Sequence, residues 1–149
     1  MEDVMDALQR EGQPVELDCP YRELVDSGWR PPMGLEVFRR VSETRLPSLA
    51  AVTDALRGGL APVLGLEIPG PFFSPVPPWI IPADPNDVKG LHAVVGVGLG
   101  LNADEPLVLV RNSWGDEWGN RGYAWLGSEF LEAHLLEIVL LRGRVVRDR

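Results

Sequence analysis

Two apolar stretches, Leu91-His92-Ala93-Val94-Val95-Gly96-Val97-Gly98 and Leu107-Val108-Leu109-Val110, constrain this chain more than any other feature. Each is rich in β-branched residues and bounded by turn formers, the pattern of buried strands. Asn102-Ala103-Asp104 supplies the turn between them. The second stretch runs on into Arg111-Asn112-Ser113-Trp114-Gly115-Asp116-Glu117-Trp118-Gly119, a polar turn set on glycines beside two tryptophans. Antiparallel pairing of the two strands brings His92 beside Asn112. An amide oxygen that accepts from one imidazole nitrogen fixes the tautomer and leaves the other nitrogen free to act as a base. Trp114 can shield that bond from water and so strengthen it. The residues alone leave a plainer reading open, a polar turn with an aromatic plug.

The rest of the chain builds around these strands. Val4, Met5 and Leu8 share one face of a helix over Glu2–Arg10, with Asp3 and Asp6 near its start to suit the dipole. Gly12 and Pro14 stop it. Pro20 biases Cys19 to an extended conformation, and Trp29-Arg30-Pro31-Pro32 is extended as well. Residues 35–41 read as a strand. A second helix spans 48–57, with Leu49, Val52 and Leu56 on one face and Gly58-Gly59 at its end. Residues 61–68 read as a buried strand. The stretch 69–87 holds seven prolines, which leave no room for a regular element. Such a loop is functional or mobile, and Phe72, Phe73 and Trp79 predict that it packs on something. Strands follow at 93–98, 107–111, 122–126 and 136–141, with Ser128 capping a helical turn at 129–133. The order is α+β, with a run of antiparallel strands at the end.

The composition excludes several classes of function. A net charge of −8 argues against a nucleic-acid surface, which needs clustered Lys and Arg. The one basic cluster, residues 142–149, reads as a solvated terminal tail. A single cysteine rules out an internal disulfide. The N-terminus is acidic and lacks the basic start and apolar core of a signal peptide. No apolar run approaches the ~18 residues of a membrane span. The chain therefore reads as soluble and cytoplasmic, with no membrane partner. The two histidines are far apart and no carboxylate cluster has ligand spacing, so neither a metal nor another cofactor is expected. His134 has no polar partner at a telling spacing and reads as a surface residue.

Residues 111–123, from Arg111-Asn112-Ser113-Trp114-Gly115 through Trp118-Gly119 to Gly122-Tyr123, resemble the asparagine signature of papain-like cysteine peptidases. His92-Ala93-Val94-Val95-Gly96-Val97-Gly98 resembles the histidine signature of the same family, in the same order and at a fitting separation. More loosely, Cys19-Pro20-Tyr21 is similar to the family's Pro-Tyr step. The helix at 48–58 with the strand at 61–68 is similar to its lead-in to the right-hand barrel, and 126–140 to its closing segment. The resemblance covers nearly the whole chain, and its specific part is the two signatures. It implies an α+β papain-like fold, a mostly antiparallel β-barrel right domain with a truncated helical left domain, as a single domain over 1–149. It also implies peptide-bond hydrolysis by a Cys-His-Asn site. His92 would be the general base and acid, Asn112 its orienter, Trp114 the shield, and Trp118 an aromatic wall on the leaving-group side of the cleft.

The nucleophile is the gap. In the family it opens a long helix and precedes the histidine by roughly 130–150 residues, which places it before Met1. Cys19 precedes His92 by only 73 residues (92 − 19). It is followed by proline, so it cannot open a helix whose dipole would lower its pKa, and it is a poor candidate. The chain is thus expected to be inactive alone, as a fragment or as a split half whose partner chain supplies the nucleophile helix. The alternative is a pseudopeptidase that binds a peptide or protein through the cleft and the loop at 69–87. Either way it is expected to dimerise or to bind a helix-bearing partner.

Overall fold

The computed structural model describes residues 2–19, 28 and 34–146. The chain divides into two compact units, Met1–Ser42 with Arg142–Arg149, and Glu43–Leu141.

In the first unit, α1 spans Glu2–Arg10, as its apolar spacing predicts. Arg10 donates to Asp6 one turn earlier at 2.7 Å, an exposed pair worth a few tenths of a kcal/mol. The Gly12 N–H closes the helix onto the Ala7 carbonyl at 3.0 Å. Gly12 itself has φ 82°, a conformation that glycine adopts without steric cost. Strand β1, Gln13–Pro14, then pairs antiparallel with β2, Val37–Arg45, through Gln13↔Phe38 and Pro14↔Val37. Strand β2 starts two residues later and runs longer than the 35–41 expected. The extended reading for Trp29-Arg30-Pro31-Pro32 lies outside the described residues. The segment expected as a solvated tail, 142–149, is instead strand through Val146, and residues 147–149 lie outside the described residues.

The second unit holds the core. Helix α2, Leu49–Arg57, is capped by Ser48, whose hydroxyl accepts the Ala51 N–H at 3.1 Å, a contact worth about 1 kcal/mol. Its inner face buries Val52 and Ala55. Gly58 caps its end by donating to the Asp54 carbonyl at 2.9 Å. The strands are β3 (Val63–Pro69), β4 (Ile80–Ile81), β5 (Val88–Asn102), β6 (Glu105–Arg111), β7 (Tyr123–Gly127) and β8 (Leu135–Val146). They are ordered β8-β3-β5-β6-β7-β4 in the sheet. The β8/β3, β3/β5, β5/β6 and β6/β7 pairs are antiparallel, and β4/β7 is parallel. The short helix α3, Ser128–His134, precedes β8. Leu64, Leu66, Val94, Val108, Val110, Leu126, Phe130 and Ile138 fill the core. This is the α+β arrangement that the strand and helix order predicts.

Two expectations are corrected here. The proline-rich stretch is not free of regular structure. It contains a 3-10 turn, Gly70–Phe73, and the strand β4, which pairs Ile80↔Trp125 and Ile81↔Leu126. Prolines at 69, 75, 77, 78 and 82 flank these two elements, Pro71 sits in the first positions of the 3-10 turn, and two consecutive isoleucines suffice for an edge strand. Ser128 is not the cap of α3 either. Gly127 occupies that position, and the Ser128 hydroxyl donates instead to the Glu105 carboxylate at 3.1 Å.

Candidate active site

The register explains why His92 and Asn112 meet. Pairing of Val95 with Arg111 places Asn112 across from Val94. Side chains alternate across a strand, so His92 shares the inward face of Val94 two residues away. His92 and Asn112 are therefore diagonal neighbours, close enough for long side chains to touch. The β5/β6 ladder ends at Arg111, and the Asn112 N–H turns to the Gly122 carbonyl at 2.9 Å. That turn frees the Asn112 side chain from the ladder direction.

His92 Nε2 lies 2.8 Å from Asn112 Oδ1. The same oxygen accepts the Ser113 backbone N–H at 2.7 Å. A main-chain N–H requires an acceptor, so this atom is the amide oxygen and not the nitrogen. An amide oxygen only accepts, so Nε2 of the neutral imidazole carries the proton and Nδ1 keeps its lone pair. Asn112 is 6% exposed, which protects the bond from competition with water. Its Nδ2 is buried without a hydrogen-bond partner.

An aromatic cluster encloses the imidazole. The Trp114 ring lies 4.6 Å from the His92 ring, inclined by 37°. Phe72 meets His92 edge-on at 5.9 Å and Trp114 edge-on at 5.7 Å. Phe73 stacks on Trp114 at 5.4 Å. Such pairs add roughly 0.5–1.5 kcal/mol each beyond their burial. Trp118 is 4% exposed. Its indole N–H donates to the Phe72 carbonyl at 2.7 Å, and its ring packs on Phe72 at 5.2 Å. Trp118 thus fixes Phe72 from beneath. Gly119, φ 57°, makes the turn possible: a Cβ there would collide with the Tyr123 carbonyl oxygen.

Around this pair the surface is mixed. A cleft of about 490 Å³ opens beside Asn112, lined by Ala93, Val94, Val95, Arg111, Ser113 and Arg121 among others. The Arg111 guanidinium sits 5.8 Å over the Tyr123 ring. Cys19 belongs to the other unit. It is a half-buried free thiol whose backbone N–H donates to the Val15 carbonyl at 3.1 Å. Among the described residues, no three His, Cys, Asp or Glu side chains come together in a way that could hold a metal ion. Among them, too, no helix is long and apolar enough to cross a membrane.

His134 corrects a further expectation. It is not a surface residue but fully buried, at 0% exposure. The Asp84 N–H donates to its Nε2 at 3.0 Å, and Phe130 packs on its ring at 4.7 Å. Burial holds its pKa below the ordinary value of 6.5, against the opposing charges of Glu67 and Asp84. The legible signal was its spacing four residues after Phe130, which puts both rings on one helix face.

Comparison with known proteins agrees with this geometry. A family model described as papain family cysteine protease matches residues 81–134, which contain His92, Asn112, Trp114 and Trp118. The chain is 54% identical over 39 residues to a thiol protease aleurain-like protein of Arabidopsis thaliana, a match that takes in 26% of this chain and 10% of that protein. In structure it is similar to xylellain, a cysteine protease from Xylella fastidiosa (TM-score 0.71, 20% identity, 98% of this chain and 61% of that one). It is also similar to procathepsin B S9 from Trypanosoma congolense (TM-score 0.69, 16% identity, 99% of this chain and 53% of that one). At these identities the structural likeness establishes the fold, and the chain spans only part of each relative. Residues 81–134 thus match the papain family cysteine protease model, and the fold of nearly the whole chain is papain-like.

Proposed function

We propose that this chain supplies the histidine and asparagine of a Cys-His-Asn peptidase site, and that the thiol comes from a segment outside this chain. The observation that carries the reading is the doubly anchored Asn112 oxygen, which holds His92 with its proton on Nε2 and its lone pair on Nδ1. In the reaction, Nδ1 takes the proton of the thiol, and the thiolate attacks the scissile carbonyl carbon. The tetrahedral intermediate collapses as Nδ1–H protonates the leaving amine, leaving a thioester. Water, deprotonated by Nδ1, then releases the carboxylic acid and regenerates the thiol. Asn112 Oδ1 accepts Nε2–H throughout and keeps the ring aimed. Trp114 and Phe72 keep water from that bond. Peptide or protein is the substrate class.

Cys19 is not given the nucleophile's role because it precedes His92 by only 73 residues (92 − 19), is followed by Pro20, and sits at the end of a hydrogen-bonded turn. The purified chain with a fluorogenic peptide panel and a thiol-directed covalent inhibitor tests this. No turnover is expected from the chain alone. Turnover that disappears in Cys19→Ser would overturn the assignment. Turnover that appears when a chain bearing a papain-like nucleophile helix is added, and is lost in His92→Ala, would support it.

A second reading, a binding module without catalysis, has its own support in exposed apolar side chains near the site. Phe73 is 48% and Trp114 39% exposed. On either reading the chain engages a partner, a second copy or a helix-bearing chain. Sedimentation that finds only a cooperatively folded monomer at all concentrations would count against this.

A further inference from the structure

His134 is a buried, titratable group that the proposed chemistry does not use. It ends α3, and its Nε2 lone pair accepts the Asp84 N–H at 3.0 Å. The neutral ring must therefore carry its proton on Nδ1, which is buried with no hydrogen-bond partner. Asp84 lies in the segment that follows β4. That segment closes on itself at Asp87, whose carboxylate accepts the Gly70 N–H at 3.2 Å and pairs with Lys89. Gly70 opens the 3-10 turn that presents Phe72 and Phe73. The rings form a continuous path from His134 to Phe130 (4.7 Å), Phe72 (6.4 Å) and His92 (5.9 Å).

We propose that His134 is a positioning residue: through Asp84 it latches the 69–87 loop so that Phe72 stays against His92, and its protonation releases that latch. The chemistry is direct. Protonation converts Nε2 from acceptor to donor, and a donor cannot hold the Asp84 N–H. The imidazolium must then find a carboxylate in a site built for a neutral ring. Of the charged groups on the elements packed around it, Glu67 of β3 and Asp84 of the loop act on the ring, and both favour the charged form. Asp84 Oδ1 meanwhile accepts the Asn86 N–H at 3.2 Å, a bond it would have to loosen to turn toward the imidazolium. The loop thus has two ways of satisfying His134, and the proton chooses between them. His92 and His134 are held in opposite tautomers, Nε2–H and Nδ1–H, because one ring faces an acceptor and the other a donor.

Nitrogen-15 imidazole spectra and amide hydrogen exchange on the full chain test this without any substrate, so the outcome is independent of the peptidase reading. With only two histidines in the chain, both rings can be assigned. The expected result is an Nδ1–H tautomer for His134 at neutral pH. As the ring titrates, below its ordinary value of 6.5, the Asp84 amide should lose at least tenfold of its protection after correction for intrinsic rate. The His92 ring signals should shift in the same transition as Phe72 moves. His134→Gln, which places a non-titrating amide near Nε2, should keep Asp84 protected throughout the same titration. Should that variant fail to fold, the wild-type titration still decides. An Nε2–H tautomer for His134, or Asp84 protection unchanged while the ring protonates, would each overturn the proposal. So would a His134→Gln chain that releases Asp84 with the same pH dependence.

Discussion

Replacing Trp118 by phenylalanine isolates one contact that the site depends on. The indole N–H donates to the Phe72 carbonyl at 2.7 Å in a site where Trp118 is 4% exposed. Phenylalanine keeps an aromatic ring against Phe72 but has no donor, so the carbonyl loses its partner. A buried polar group left unsatisfied costs about 1–3 kcal/mol. The smaller ring also leaves a void of roughly 40 Å³, which at about 24 cal/mol per Å³ adds about 1 kcal/mol. The sum, about 2–4 kcal/mol, is a large share of the ~5–15 kcal/mol that stabilises an ordinary domain. Urea denaturation followed by circular dichroism measures it, with Trp114→Phe as the control. Trp114 is 39% exposed and should cost no more than about 1 kcal/mol. A Trp118→Phe loss below about 0.5 kcal/mol, or equal to that of Trp114→Phe, would refute the argument that Trp118 fixes Phe72 from beneath.

Other perturbations test the same structure. Gly119→Ala should cost at least ~2 kcal/mol in the same assay, because the new Cβ would meet the Tyr123 carbonyl in a left-handed conformation. A milder loss would show that the turn relaxes freely. The pH dependence of stability follows from His134, whose folded pKa is lowered from 6.5 by burial. Below 6.5 the unfolded chain binds the proton and the folded chain does not, so stability falls as pH drops through the window from 6.5 to the folded pKa. It should be fully present above 6.5, and His134→Gln should flatten that slope. A slope unchanged in His134→Gln would assign it to other groups.

The elements that the sequence made legible are those whose local pattern agrees with their packing. The 3.6-residue spacing of Leu49, Val52 and Leu56, with a cap at Ser48 and glycines after Arg57, locates α2 to within a residue. Alternation and glycine content locate β6 and the middle of β5, which runs over Val88–Asn102 rather than the expected 93–98, and the nearness of His92 to Asn112 follows from pairing them. What stayed hidden depends on contacts distant in sequence. Strand β4 exists because Trp125 and Leu126 offer an edge to two isoleucines among prolines. The Trp118 bond reaches back 46 residues to a main-chain carbonyl, which no local pattern encodes. His134 is buried because Asp84, 50 residues earlier, donates to it. Ser128 is a good cap by type, yet the helix starts at Ser128 itself and its hydroxyl turns to Glu105.

The central claim is that Asn112 holds His92 as a base with a free Nδ1, and nitrogen-15 NMR of the His92 ring measures this most directly. For the neutral ring the account predicts a single Nε2–H tautomer. In Asn112→Ala, where the anchoring oxygen is gone, the account predicts a mixture of tautomers. An Nδ1–H tautomer in the native chain, or a tautomer unaffected by Asn112→Ala, would contradict it.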